Sequence, residues 1–341
     1  MLQQPLALSS RIFRAACFLF ALMSTGLVFA QTTHNENQAL EWFERMSSAF
    51  SKLNYDGVFV YTHGDFMDSL RIVHRVDKGI ERERIIRLDG QRHELIRSGE
   101  NVTCVHPANW TGDINHRVPA GPFAKSFIRD MSQLSGGYYL QVMGDALIAG
   151  RETVSLAINP KDDYRYGYNV WLDRETGLLL KSTLVHHGRV LERFQFTRID
   201  LAADIPDSEF EVGIAGETLI HYPLLASTEQ LIEQKTSGWE LAWMPSGFRM
   251  RVQGIKRAYG GDVRADTLTF GDGMTAFSVF VEKVQNGNHE ELTSQSGATA
   301  AVARKMVLGN NLYLVTVVGE IPLSVAQRVA ASVIPIGSEA Q

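Results

Sequence analysis

Cysteine is scarce in this sequence, and the scarcity limits how the protein is stabilised. Only Cys17 and Cys104 occur in 341 residues. Cys17 lies in an N-terminal segment that we expect to be removed, so one cysteine remains and no intramolecular disulfide is possible. Stability must therefore come from buried hydrophobic cores. The remaining chain of about 310 residues is long enough for two domains that each bury a core of their own.

Positive charge is not in excess either. The chain carries 33 Lys and Arg against 38 Asp and Glu, and removal of residues 1–30, with two arginines and no acid, changes the net charge from −5 to −7. A mildly acidic protein lacks the attraction to a phosphate backbone on which nucleic-acid binding depends. The composition therefore predicts no nucleic-acid partner.

Long apolar runs are also missing, apart from one near the N-terminus. This run, Ala15–Phe29, follows Arg11 and Arg14 and ends beside the small residues Val28 and Ala30. It is shorter than the ~20 residues that span a bilayer, and its small residues suit a signal peptidase. We predict that residues 1–30 are a cleaved signal peptide and that the protein is secreted. The alternative is a retained membrane anchor.

Motifs that would mark an enzyme or a metal site are absent from the sequence. None of the ten histidines stands in a His-Glu-x-x-His pattern. The neighbours His186 and His187 would point to opposite faces of a strand unless a bulge or turn intervenes, and we expect them to be solvated histidines near a turn. No Gly-x-Ser-x-Gly elbow occurs, and Cys104 lies in an apolar strand-like run that favours a buried structural role. We predict no catalytic residue, no metal, no cofactor and no enzymatic activity. A secreted hydrolase is the alternative that these absences weigh against.

The first part of the chain predicts one helix followed by many strands. Apolar residues recur at helical spacing from Leu40 to Leu53, and the period changes to two from Tyr55 onward. Short glycine-containing connections, such as Asp89-Gly90 and the one at Gly188, favour antiparallel neighbours. An antiparallel sheet that curls around the single helix would bury the apolar face of that helix.

The second part predicts a connection and a smaller α+β domain. Residues 202–238 contain prolines and acids without sustained periodicity, and strand patterns then recur from Phe248 to Val318, with a hairpin at Gly309-Asn310-Asn311. Pro322 opens a final apolar helical stripe. The predicted domains are residues 31–205, a linker at 206–238, and residues 239–338.

Two features could bind a ligand. Arg82 and Arg84 lie two residues apart on one face of a strand, where they could contact an anion, although cross-strand salt bridges would also explain them. The loop Asn109–Phe127 is long for a compact domain and carries large apolar side chains, including Trp110 and Phe123. Such a loop covers a binding site in some proteins and fills the core in others.

Several stretches resemble the RseB/MucB family of periplasmic sigma-E regulators. The most specific are AGRETVSLAINPKDDYRYGYNVWLDRETGLLLKS, from Ala149 to Ser182, and HGRVLERFQF, from His187 to Phe196. Further likeness lies in SLRIVHR from Ser69, in LDGQRHELIR from Leu88, and in Trp-Met-Pro-Ser-Gly-Phe from Trp243. The resemblance spans nearly the whole mature chain. One departure is Gln91, where the family pattern leads us to expect proline.

The resemblance implies both a fold and a function. The fold would be a larger N-terminal domain similar to the lipoprotein carriers LolA and LolB, an antiparallel half-barrel wrapped around a helix, plus a smaller C-terminal α+β domain. The protein would be a periplasmic negative regulator that binds the periplasmic domain of an RseA/MucA-type anti-sigma factor and shields it from regulatory proteolysis. Lipopolysaccharide or a related lipid would release it. A homo-oligomer is possible, and the alternative function is a periplasmic lipid or lipoprotein carrier.

An acyl chain would enter an apolar cavity of the larger domain. Each buried methylene contributes ~0.8 kcal/mol of binding free energy. Burial of a short length of acyl chain would therefore supply as much free energy as typically couples two binding sites in one protein. Each candidate is also a normal core residue, and the resemblance assigns no residues to the anti-sigma contact. The candidate cavity residues are Leu40, Phe43, Met46, Phe50, Phe59, Ile72, Trp110, Phe123 and Phe127.

Overall fold

The structure is a computed structural model that describes ten stretches of the chain. These are residues 36–50, 52–90, 93–99, 101–106, 136–201, 204–213, 218–223, 237–257, 264–284 and 290–337. The predicted signal peptide and the loop residues Trp110, Phe123 and Phe127 lie outside them. Within these stretches, no helix is long and apolar enough to cross a membrane.

In the described part of the chain, the N-terminal domain packs a helix on a single eleven-stranded antiparallel sheet. Helix α1 spans residues 36–50. The strand order across the sheet is β11-β5-β4-β3-β2-β1-β10-β9-β8-β7-β6, so most neighbours in space are neighbours in sequence. The strands are β1 Tyr55–His63, β2 Phe66–Asp77, β3 Ile80–Arg87, β4 Glu94–Ser98, β5 Asn101–His106, β6 Tyr138–Ile148, β7 Arg151–Pro160, β8 Gly167–Asp173, β9 Leu179–His186, β10 Arg189–Leu201 and β11 Thr218–Pro223.

Helix α1 buries its apolar stripe against the inner face of this sheet. Ala39, Phe43 and Met46 are fully buried, while Leu40 and Phe50 are half-buried at the margin. The inward residues of the strands complete one core, to which Phe194 and Phe196 of β10 contribute. The predicted fold of a curled antiparallel sheet around one helix is therefore confirmed.

The C-terminal domain is a smaller α+β unit. A six-stranded antiparallel sheet has the order β13-β14-β15-β18-β17-β16, and helix α2 packs on β17 and β18. The short strands β12 and β19 pair with each other, which joins the start of the domain to its end. Its elements are β12 Trp239–Leu241, β13 Arg249–Arg257, β14 Arg264–Gly271, β15 Ala276–Val284, β16 Leu292–Ser296, β17 Thr299–Leu308, β18 Asn311–Gly319, α2 Leu323–Ala331 and β19 Val333–Pro335.

Most strands of this domain lie where the periodicity predicted them. The hairpin at residues 309–311 is present between β17 and β18. Pro322 is the cap of α2 rather than its first helical residue, and its carbonyl accepts hydrogen bonds from the amides of Val325 and Ala326. Strand β16 was not predicted, because LTSQS is polar and mostly exposed and shows no apolar alternation.

Part of the segment that the sequence assigned to the linker packs on the N-terminal domain. Residues 204–213, which we name the strap, include a 3-10 helix at Asp207–Phe210. Further on, Thr218–Pro223 forms β11 and pairs with β5 at the edge of the large sheet. The prolines Pro206 and Pro223 stand at the two places where such a chain can accept them, namely before a 3-10 turn and at the end of an edge strand.

Candidate functional site at the domain interface

The cavity candidates that the structure describes share the interior of the N-terminal domain. Phe43, Met46, Phe59 and Ile72 are at most 1% exposed, and Leu40 and Phe50 pack against the same cluster. The structure thus brings six of the nine candidates together in one interior. In the described residues they pack on one another and on the sheet as a core does.

A buried polar cluster adjoins this core on the inner face of β2 to β4, which sequence reasoning missed. Arg97 donates hydrogen bonds to Glu81 at 2.9 Å and Glu83 at 3.3 Å. His74 stacks on Tyr55 and lies 2.8 Å from the carbonyl of Leu53. Burial lowers the pKa of His74, so its imidazole is neutral and donates to that carbonyl at neutral pH. The interior is therefore apolar near α1 and charged towards β4.

The outer face of the same strands is covered by the strap. Arg82 donates to Asp207 at 2.8 Å, and Arg75 donates to the same carboxylate and to the carbonyl of Ile205. Hydrogen bonding to Arg75, together with the charges of Arg75 and Arg82, lowers the pKa of Asp207. Val73 is fully buried in β2. The arginines therefore hold an acidic segment of their own chain.

Arg84, the second predicted anion contact, also has partners within the chain. It donates to the carboxylate of Glu94 at 2.9 Å and to the carbonyl of Glu209 at 3.1 Å. Glu94 in turn accepts a hydrogen bond from the amide of Gly213 at the end of the strap. Arg82 and Arg84 thus lie on one face, as predicted, and both fasten the strap.

The loop between β7 and β8 enters the C-terminal domain. Its residue Tyr164 packs edge-on against Trp243, with ring centroids 5.5 Å apart, and is partly buried against the core of that domain. In the opposite direction, Met274 from the β14–β15 turn is 4% exposed and belongs to the core of the N-terminal domain. Each domain therefore contributes an apolar side chain to the other's core.

Arg165, in the same loop, is the charged centre of the interface and is 2% exposed. Its guanidinium donates to Asp162 at 3.0 Å within the loop, to Asp272 at 2.8 Å across the interface, and to the carbonyl of Ser246. Burial by itself lowers the pKa of Arg165, but hydrogen bonds to Asp162 and the charge of Asp272 outweigh it and raise the pKa overall. The side chain is therefore charged and fully engaged.

Asp272 fixes the other side of this contact. One of its oxygens, Oδ1, accepts the amides of Met274 and Thr275 and so shapes the β14–β15 turn. Its other oxygen, Oδ2, accepts from Arg165 and from the hydroxyl of Tyr138 at 3.1 Å. Burial, with the nearby charge of Asp272, raises the pKa of Tyr138 well above its usual value, so the phenol remains a hydrogen-bond donor.

A second contact joins the domains at Glu192 of β10. Its carboxylate accepts the amide of Ala298 at 2.6 Å and the hydroxyl of Tyr61 at 2.6 Å. Ala298, in the β16–β17 turn, is fully buried against the N-terminal core. Solvent reaches the side chain of Glu320, but the surrounding protein and the charge of Glu192 raise its pKa to about 7.

A polar pocket of about 180 Å³ lies beside the interface loop. His186 and His187 line it together with Asp162, Asp163 and Asn169. The two imidazole centroids are 4.0 Å apart, because His187 occupies the β9–β10 turn with a φ of 47° rather than continuing the strand. The two histidines therefore lie at a turn, as expected, and the turn brings together two rings that a continuous strand would separate. No group of three potential metal ligands occurs in the described part of the chain.

Comparison with known protein families identifies the relationship suggested by the motifs. A family model described as the MucB/RseB N-terminal domain matches residues 38–214, and one described as the MucB/RseB C-terminal domain matches residues 233–334. The chain belongs to the MucB/RseB family. The match covers both domains and so accounts for the whole architecture seen here.

Members of the MucB/RseB family match this chain from end to end. The sigma factor AlgU regulatory protein MucB of Pseudomonas aeruginosa is 34% identical over 316 residues, which covers 92% of this chain and 96% of that protein. The sigma-E factor regulatory protein RseB of Haemophilus influenzae is 27% identical over 320 residues, or 92% and 97%. The solved complex of P. aeruginosa MucA and MucB matches with a TM-score of 0.71 and 33% identity, over 88% of this chain and all of that one.

The motifs that carried the family resemblance meet at the domain interface. The segment beginning at Ala149 supplies Tyr164 and Arg165, and the segment beginning at Trp243 supplies Ser246 and the ring of Phe248, 5.3 Å from the guanidinium. The sequence signal was a dense run of charged and aromatic residues in a short loop. Local periodicity could not show that its partners lie about eighty residues further along the chain.

Proposed function

We propose that this protein is a periplasmic negative regulator of a sigma-E-type envelope stress response. It binds the periplasmic domain of a MucA/RseA-type anti-sigma factor and shields that domain from regulatory proteolysis. The observation that carries the proposal is the end-to-end likeness to MucB, at 34% identity over both domains. Support comes also from the solved complexes of MucB with the periplasmic part of MucA, which match with TM-scores of 0.69 and 0.71.

The proposed action is binding without catalysis. Shielding needs only that the bound regulator covers the scissile region of the anti-sigma factor, since a protease cannot act on a segment it cannot reach. The regulatory names of the relatives agree with a role of this kind. Residues 1–30 would direct the chain to the periplasm, where the partner's exposed domain lies.

The docking surface that we propose spans both domains beside their interface. A groove between two domains is a common place for a partner segment to add a strand or lay a helix. Apolar side chains that pack into the opposite core, together with the polar contacts of Arg165 and Glu192, hold the domains together here. A surface built from both would therefore be preformed rather than assembled on binding.

Lipid release is a further part of the proposal. A ligand shifts a two-state equilibrium only if it binds one state better than the other. An acyl chain that entered between α1 and the inner face of the sheet would have to displace side chains such as Phe43 and Phe59, because these fill that space. Lipopolysaccharide or a related lipid would thus favour a loosened state and weaken partner binding.

Binding of the full chain to the periplasmic segment of the anti-sigma factor from the same genome tests this function. Isothermal titration should give a dissociation constant of micromolar or tighter, and added lipopolysaccharide should weaken it. A detergent of similar chain length is the control for nonspecific effects of acyl chains. Absence of binding, with lipid or lipoprotein bound instead, would favour the carrier function.

A further inference from the structure

We propose that Arg165 and Asp272 form a latch between the two domains, and that Arg165 is the positioning residue that holds them in the arrangement the partner recognises. The second half of this inference rests on the proposed function. Neither residue needs to touch the partner. The first half, that the latch fixes the domain arrangement, stands on the contacts of these two side chains alone.

The latch is made by atoms from both domains around one buried cation. Arg165 from the N-terminal domain donates to Asp272 and to the carbonyl of Ser246, both of the C-terminal domain. Its guanidinium carbon lies 5.4 Å from the ring of Tyr138 and 5.3 Å from the ring of Phe248, one from each domain. The side chain is thus enclosed by the two domains together.

Because both charges are buried, loss of either partner would leave the other as an unpaired charge inside the interface. The side chains of Arg165 and Asp272 are 1% and 2% exposed. A charge that loses its partner in such a place is strongly unfavourable, whereas the same charge in water is not. Separation of the domains would expose Oδ2 of Asp272 to solvent. Removal of the cation alone therefore favours the separated arrangement, and removal of both charges does not.

The chain offers a matched pair for comparison. Arg151 donates to Asp173 at 2.6 Å, and the side chain of Asp173 is 1% exposed, but both residues belong to the N-terminal domain. Loss of Arg151 should therefore affect the stability of one domain and leave the domain arrangement unchanged. The comparison separates the loss of an arginine–aspartate pair from the loss of an interdomain contact.

The distance between two spin labels, one on each domain, reports how the domains are arranged when no anti-sigma factor is present. Leu147 and Val307 are 69% and 72% exposed and lie on different domains, so cysteine at each position carries one label. Cys104, the cysteine that remains in the mature chain, would be replaced by serine in every protein. Arg165→Met, Asp272→Asn, the double variant and Arg151→Met are then compared with the parent by pulsed electron resonance.

We expect Arg165→Met and Asp272→Asn each to add a longer, broader distance population, and the double variant to return towards the parent distribution. Asp272→Asn nearly preserves the shape of the side chain, so it tests the latch even if Arg165→Met folds poorly. Parent-like distances in both single variants would overturn the latch. So would an equal change in Arg151→Met.

Binding of the anti-sigma periplasmic segment to the same proteins tests the second half. If the closed fraction falls to about one tenth, the apparent dissociation constant should rise about tenfold, and the double variant should recover part of that loss. An opened Arg165→Met protein that binds as tightly as the parent would overturn the link between the latch and the partner. Failure of the parent to bind at all would instead contradict the proposed function and leave the distance result intact.

Discussion

Gly177 shows how one residue sets the position of helix α1 on the sheet. It lies in the turn between β8 and β9 with a φ of 80°, where an added Cβ would be 2.9 Å from Cβ of Arg45 and 3.1 Å from its carbonyl carbon. The guanidinium of Arg45 also donates to the carbonyls of Arg174 and Glu175 in the same turn. Turn and helix therefore meet backbone to backbone, which only glycine allows.

Gly177→Ala should destabilise the protein more than a positive φ alone explains. Gly79 is the matched control, since its φ is 82° but nothing lies within 4 Å of its added Cβ. Alanine at either position would carry backbone strain of about 1–3 kcal/mol, because both have a positive φ. Only Gly177→Ala would also push helix α1 away from the turn. Urea denaturation should give the lower free energy of unfolding for Gly177→Ala. Equal losses in the two variants would contradict the close contact.

Residues whose partners are distant in sequence were the least predictable from the sequence. Periodicity placed Phe43 on the apolar face of a helix, and the structure buries it, because burial of a helical stripe is a local pattern. Arg165 looks like any arginine in a polar loop, and its partner Asp272 is 107 positions away. Nothing local distinguishes a buried interdomain charge from a solvated one.

At the scale of elements, α1 should account for much of the N-terminal core. Phe43 is fully buried between the helix and the sheet, so Phe43→Ala should lower the free energy of unfolding by about 3–5 kcal/mol. Glu44→Ala, one position along on the exposed side, is the control. Thermal and chemical denaturation measure both, and a Phe43→Ala protein as stable as Glu44→Ala would contradict the wrapped helix.

The strap is held by charge, which predicts a different kind of response. Asp207 bridges Arg75 and Arg82 at an exposed position, and its lowered pKa means that this contact is present above the usual carboxyl range and is lost as the pH falls through the lowered value. Asp207→Asn should therefore speed hydrogen exchange in residues 204–213 at neutral pH. Asp204→Asn serves as the control. Unchanged exchange in the strap would show that the other contacts hold it without Asp207.

Strands in which apolar and polar residues alternate clearly were predicted from the sequence. Strands that form only because they pair with a neighbouring strand were not. The strands β15, β17 and β18 lie in the region from Phe248 to Val318 where strand patterns were predicted, because each buries alternate apolar side chains. Strands β11 and β16 are short edge strands, and pairing with β5 and β17 defines them. Edge pairing is a tertiary effect, so periodicity in one short segment could not reveal it.

At the scale of the whole molecule, the second interdomain contact predicts how stability depends on pH. The pKa of Glu320 is raised to about 7 from a usual 4.5, so the folded protein favours the protonated form and stability falls as the pH rises from 4.5 to about 7. Glu320→Gln should remove part of this fall, by a modest amount because solvent reaches the side chain. Denaturation at pH 5 and pH 8 measures it, with Glu290→Gln as the control. An unchanged pH profile in Glu320→Gln would contradict the raised pKa.

The interface also explains why two recognisable domains behave as one regulator. Each contributes an apolar side chain to the other's core, and a buried ion pair joins them. A carrier built from the N-terminal fold alone would need none of these contacts. The C-terminal domain therefore lies fixed across one end of the large sheet, and the two domains act together as one unit.

Protection of the anti-sigma factor from its protease is the most direct measure of the proposed function. The periplasmic domain of that factor would be incubated with its regulatory protease, with and without the full-length regulator, and cleavage followed over time. We expect markedly slower cleavage with the regulator and a return to the unprotected rate when lipopolysaccharide is added. Equal cleavage rates with and without the regulator, at concentrations where the two proteins bind, would contradict it.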